Sequence, residues 1–129
     1  MTIGFIGLGN MAKAMIGGIL AKGLLEQSEI IGTAATEETC KKAASKYGIQ
    51  TRSSNAAVAK GADIIILAVK PQYLKVVIAD IMDSVDDSKL IVSIAAGKTI
   101  KWLQNEFEKP VKIIRVMPNT PALGRSVSS

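Results

Sequence analysis

Between Gly4 and Gly18 the chain reads GFIGLGNMAKAMIGG, five glycines in fifteen residues. Glycine loses more backbone freedom on folding than any other residue, so such a cluster needs a physical reason. Its surroundings supply one. Residues 2–6 form a short apolar run, and a helical pattern starts at Asn10. Gly7 and Gly9 therefore fall in the turn between a strand and a helix. This feature restricts the fold more than any other in the chain, because it fixes a strand–loop–helix unit whose loop must approach something closely.

The rest of the chain repeats that alternation. The pattern predicts strands over residues 2–6, 29–34, 49–51, 63–69, 90–95 and 111–117. It predicts helices over residues 10–22, 37–47, 55–60, 71–82 and 99–107. Gly23, Gly48 and Gly61 each stand just past a helical pattern, where a left-handed C-cap calls for glycine. Pro71 falls in a first helical turn, and Thr36 and Asn55 are expected N-caps. Residues 63–69, DIIILAV, are apolar without alternation, as in the centre of a parallel sheet buried on both faces. Together these features predict an α/β fold: a doubly wound, mostly parallel sheet with helices on both faces. At 129 residues the chain suits one domain with a core of its own.

Composition narrows the function. Cys40 is alone, so no internal disulfide forms, in keeping with a reducing, cytoplasmic location. It reads as a small apolar helix residue. The longest apolar run, residues 64–69, is too short to cross a bilayer, and the N-terminus carries no signal-peptide pattern. The formal charge is +5, spread over separate positions such as Lys60, Lys70, Lys98, Lys101 and Lys112. With aromatics at 4% and no basic run, the chain lacks the stacking platforms of a nucleic-acid binder. A mild positive field suits a small polyanion instead. There is no histidine, which excludes histidine acid–base work, a serine–histidine triad and the usual zinc sites; no metal site is expected.

The turn Gly7-Leu8-Gly9-Asn10-Met11-Ala12 matches the dinucleotide pattern G-x-G-x-x-G/A. Gly7 permits the tight turn, and Gly9 lets backbone approach a pyrophosphate. Ala12 lets the helix pack on the strand, and the helix start offers free N–H groups to phosphates. Gly17 and Gly18 are assigned to close helix–sheet packing. The second strand ends in Thr33-Ala34-Ala35-Thr36, with no carboxylate to bind a ribose hydroxyl or repel a 2′-phosphate. This favours NADPH, with NADH possible, and makes Thr33, Thr36, Lys41 and Lys42 candidate phosphate contacts. The other strand ends, Ala68-Val69-Lys70-Pro71, Ile94-Ala95-Ala96-Gly97 and Met117-Pro118-Asn119-Thr120-Pro121, carry small residues that leave a trough for an extended cofactor. Lys70 either points into it or is a solvated helix-start lysine. Asn119 and Thr120 are the candidate substrate contacts; Asn119 read alone is equally a turn residue between prolines.

GFIGLGNMAKAM, LAVKPQ, SIAAG and RVMPNTPA together resemble pyrroline-5-carboxylate reductase, in order and spacing, over residues 1–123. Dehydrogenases of the 3-hydroxyisobutyrate type open similarly but lack the KPQ turn and the MPNTPA segment, and rank second. A third reading is a paralogue that senses nucleotide without turnover. The resemblance implies a Rossmann-type domain and reduction of the cyclic imine 1-pyrroline-5-carboxylate to L-proline with NADPH or NADH. It places cofactor contacts on Ile6, Gly7, Leu8, Gly9, Asn10 and Met11, on Ala34, Thr36 and Asn55, on Ala68, Val69, Lys70 and Pro71, and on Ile94, Ala95 and Ala96. Where the family often carries Ser or Arg after the second strand, this chain has Ala34 and Ala35. The family has a second, helical domain that builds the dimer and completes the substrate pocket. That domain is absent from this sequence, and residues 124–129 do not resemble the family. The chain therefore reads as a cofactor-binding half, inactive alone, with no catalytic residue assigned.

Overall fold

In the computed structural model, which describes residues 1–94 and 98–116, β1 (Ile3–Ile6) lies between β2 (Ile30–Thr33) and β4 (Ile64–Leu67). β3 (Gln50–Thr51) extends the sheet beyond β2, and β5 (Leu90–Ser93) and β6 (Lys112–Arg115) extend it beyond β4. The order is β3-β2-β1-β4-β5-β6, and every neighbouring pair is parallel. The register sets Ile3 between Ile30 and Ile64, and Ile6 between Thr33 and Leu67.

Parallel strands need crossover helices, and their amphipathic faces cover the sheet. Helices α1 (Asn10–Ala21) and α2 (Glu37–Tyr47) cover one face around Phe5, Leu8, Ala12, Ile16, Ile30 and Ile66. Helices α3 (Asn55–Gly61), α4 (Leu74–Ile81) and α5 (Ile100–Phe107) cover the other around Ile6, Val58, Ile65, Leu67, Leu74, Ile78 and Phe107. Ile65 and Ile66 are consecutive in β4, point to opposite cores and are 0% and 4% exposed. The unbroken run DIIILAV therefore marks the centre of the sheet, as expected. The fold is an α/β Rossmann-type sheet with helices on both faces.

The caps follow local chemistry. Thr36 Oγ1 accepts from Thr39 N–H at 3.2 Å, as expected of an N-cap, and Gly48 closes α2 at φ 72°. Lys89 Nζ donates to Ala62 O at 2.6 Å and Lys60 O at 3.3 Å, satisfying carbonyls at the end of α3. Cys40 is buried on α2, as its apolar reading requires.

Four expectations change. Asn55 is not the N-cap of α3; Ser54 is, its Oγ accepting from Ala57 N–H at 3.1 Å, which frees the Asn55 amide. Gly61 is the last residue of α3 and not a left-handed cap; its missing side chain leaves room for Ile31 Cδ1, which a Cβ would meet at 3.2 Å. Gly17 and Gly18 do not touch the sheet. A Cβ on Gly17 would meet the Tyr47 ring at 3.6 Å, and one on Gly18 would meet nothing within 4 Å. The helix expected over residues 71–82 divides into a 3-10 turn (Pro71–Tyr73), α4 and a second 3-10 turn (Met82–Ser84). The expected strand ends at 95 and 117, and the change of character at 124, lie outside the described residues.

Candidate functional site

The chain leaves β1 toward β2 and β3, then crosses back to β4 on the other side of β1. Ligands of such sheets bind beyond the carboxyl ends of the strands at this reversal. Hydrogen bonds extend the ladder one residue past the strands and gather the loops there. Gly7 N–H donates to Thr33 O at 2.9 Å, Ala68 N–H to Ile6 O at 2.9 Å, and Ile94 N–H to Leu67 O at 3.2 Å.

Each position of the glycine turn has a separate physical reason. Gly7 has φ +100°, and a Cβ there would stand 2.7 Å from Ala68 O. Leu8 is 1% exposed and turns into the core, where it fills the notch left by Gly32. A Cβ on Gly32 would meet Leu8 Cδ2 at 2.9 Å. Gly9 is the N-cap of α1, yet a Cβ on it would meet nothing within 4 Å. The packing of the protein itself therefore does not require glycine at position 9. The start of α1 has no side-chain cap and no acidic residue in its first turn, so its N–H groups are open to an anion. Ala12 is 0% exposed and seats α1 on the sheet, as the motif requires.

A cleft of about 670 Å³ opens beside this turn. Ile6, Gly7, Ala34, Asn55 and Val69 line it, five of the expected cofactor contacts. The rest divide. Gly9 and Asn10 are exposed and Met11 half-buried at the start of α1, all three outside the cleft wall. The Leu8 side chain points away from the cleft, which leaves only its backbone for a ligand. Thr36 Oγ1 is occupied with Thr39, and the cleft wall does not include it. Ala68, Lys70, Pro71 and Ile94 do not line the cleft; Ala68 and Ile94 pack instead against the core under α1 and α2. Ala95, Ala96, Asn119 and Thr120 lie outside the described residues.

The β2 tip keeps its expected character. Thr33, Ala34 and Ala35 line the cleft with no carboxylate among them. Glu37 and Glu38 are paired along α2 with Lys41 and Lys42, each at 3.1 Å. Those lysines, candidate contacts of a 2′-phosphate, make exposed i,i+4 pairs along α2.

One wall was not foreseen. Tyr73, Val76, Val77 and Asp80 line the cleft from the α4 side, at the i, i+3, i+4, i+7 spacing of a single helix face. Val76 is 63% exposed, an apolar excess on the outer side of α4 that could have flagged this face. Asp80 accepts from Asn55 Nδ2 at 3.1 Å across the cleft. Among the described residues no group of three His, Cys, Asp or Glu could hold a metal, and no helix is long and apolar enough to cross a membrane.

The sheet order and the glycine turn define a Rossmann-type domain. The family model described as NADP oxidoreductase coenzyme F420-dependent matches residues 2–97, and the chain belongs to that family. It is 42% identical to the pyrroline-5-carboxylate reductase of Escherichia coli over 121 residues, covering 94% of this chain and 45% of that protein. The structure of a pyrroline-5-carboxylate reductase from Coxiella burnetii matches with a TM-score of 0.87 at 34% identity, over 97% of this chain and 46% of that one. The Plasmodium falciparum pyrroline carboxylate reductase, solved with NADP bound, matches with a TM-score of 0.82 at 32% identity, over 95% and 44%. The chain thus spans about 45% of the length of the reductases it matches. The resemblance carried by the four sequence motifs is borne out.

Proposed function

We propose that this chain is the NAD(P)H-binding part of a pyrroline-5-carboxylate reductase, reducing 1-pyrroline-5-carboxylate to L-proline. The observation that carries the reading is the open space at Gly9, above an uncapped helix start. The N–H groups from Gly9 to Met11 would hold the pyrophosphate. NADPH is preferred and NADH accepted, because the β2 tip presents Ala34 and Ala35 where a carboxylate would repel the 2′-phosphate.

When bound, the dinucleotide supplies the hydride. The residues of this chain orient and enclose. Val69 lines the cleft, and Ala68, Pro71, Ile94, Ala95 and Ala96 would contribute small or apolar groups to the cofactor site. Lys70 adds positive charge at its rim. Asn119 and Thr120 hold the substrate beyond β6. No histidine is needed, because an imine that arrives protonated already accepts hydride, and positioning carries much of the rate. Residues 1–123 form the cofactor domain. The proton donor and the subunit contacts of a homo-oligomer belong to the remaining length that the relatives carry, and the working location is the cytoplasm.

The test is calorimetric titration of the chain with NADPH and, in parallel, NADH. Saturable binding, tighter for NADPH, is expected; no heat with either, from a chain folded by circular dichroism, overturns the reading. A chimera with the C-terminal half of the E. coli relative then tests the substrate. It should oxidise NADPH only when 1-pyrroline-5-carboxylate is added.

A further inference from the structure

The α4 wall of the cleft is apolar and open, and it ends in a carboxylate. Tyr73 is 55% and Val76 63% exposed, both within the cleft lining. With Val69 and Ala56 they bound a slot whose polar end is Asp80. The Asn55 amide, freed from capping by Ser54, donates to Asp80 Oδ2 at 3.1 Å and holds the carboxylate in place. An ionised carboxylate only accepts hydrogen bonds, and one of its oxygens is not used by Asn55.

The orientation of the cofactor follows from the β2 tip, which lines the same cleft. In dinucleotide folds that tip meets the adenosine ribose, and the cleft that the tip lines reaches the α4 wall, which leaves room for the base there. Exposed apolar walls suit the faces of a purine. An acceptor at the end of the slot suits a purine edge that carries a donor, and adenine has one in its exocyclic amino group.

We infer that Asp80, held by Asn55, reads the adenine amino group and selects an adenine dinucleotide over one with a 6-oxo purine. This rests on the dinucleotide reading above and adds a base-selecting residue to it. Hypoxanthine carries an oxygen acceptor where adenine carries the amino donor, so its dinucleotide faces the carboxylate with like against like.

The experiment titrates the chain and Asp80→Ala with NADPH and with its deamino (hypoxanthine) analogue. Asp80 is exposed, so the variant keeps the core intact. The unmodified chain should bind NADPH about ten- to a hundredfold tighter than the analogue, in line with a hydrogen bond to a charged group. Asp80→Ala should weaken NADPH, tighten the analogue by relieving the contact of oxygen with carboxylate, and bring the ratio near one. Equal binding by the unmodified chain, or a preference that survives in Asp80→Ala, overturns the inference while leaving the dinucleotide site standing. Failure of both ligands to bind the unmodified chain overturns the two together.

Discussion

A methyl group on Gly7 would stand 2.7 Å from the carbonyl oxygen of Ala68, so the loops after β1 and β4 meet backbone to backbone. The contact is independent of any ligand, and Gly7 also has φ +100°. Gly7→Ala is therefore a stability variant. It should lower the unfolding free energy by about 2–4 kcal/mol, from backbone strain plus displacement of the Ala68 loop. Urea denaturation checks this.

Gly9 gives the opposite outcome. Its Cβ position is open within 4 Å, so Gly9→Val should cost only the change of N-cap residue, about 1 kcal/mol. Its side chain would stand where the pyrophosphate rests, and NADPH affinity should fall by about a hundredfold or more. Normal NADPH binding by Gly9→Val would show that the phosphates lie elsewhere.

Much of this contrast was legible in the sequence, and the part that was not is instructive. G-x-G-x-x-A marked Gly7, Gly9 and Ala12 as special because the pattern lies within six consecutive residues, although the Ala68 contact at Gly7 was not legible in it. The continuous apolar run of β4 announced burial on both faces for the same reason. Asp80 could not be read in this way. Twenty-five residues separate it from Asn55, and only the packing of α3 beside α4 brings the two together. The Gly32 notch was equally hidden, since a glycine in a strand does not reveal which distant side chain fills it. Gly17 and Gly18 show the reverse error: small residues suggested close packing on the sheet, where the structure puts the Tyr47 ring and open space.

Ala35 tests the cofactor preference. It is exposed and lines the cleft at the β2 tip. Ala35→Asp should lower the ratio of NADPH to NADH affinity by about tenfold, through repulsion of the 2′-phosphate. The shift should shrink as salt rises. Parallel titrations at two ionic strengths measure both effects.

A pH effect is expected in the turn before β5. Asp86 Oδ1 accepts from the Ser88 hydroxyl and from Ser88 N–H, the latter at 2.8 Å. The hydroxyl foremost, then the N–H, holds the Asp86 carboxyl below its ordinary value of 3.8. A lowered folded-state value means that this contribution to stability is present above the unfolded value and is lost as pH falls through the folded one. Asp86→Asn should thus reduce stability at neutral pH and flatten the loss between about pH 5 and the acid limit. Urea midpoints across that range would show it.

The seating of Leu8 in the Gly32 notch has a consequence for recognition. A phosphate-binding loop on the surface would ordinarily have to be immobilised by its ligand, and that ordering would subtract from affinity. Here a side chain within the loop anchors it from below, and its conformational freedom is already surrendered when the chain folds. A dinucleotide meets a preorganised surface, its capture is close to rigid docking, and few of the contacts it makes are spent on shaping the site that receives it.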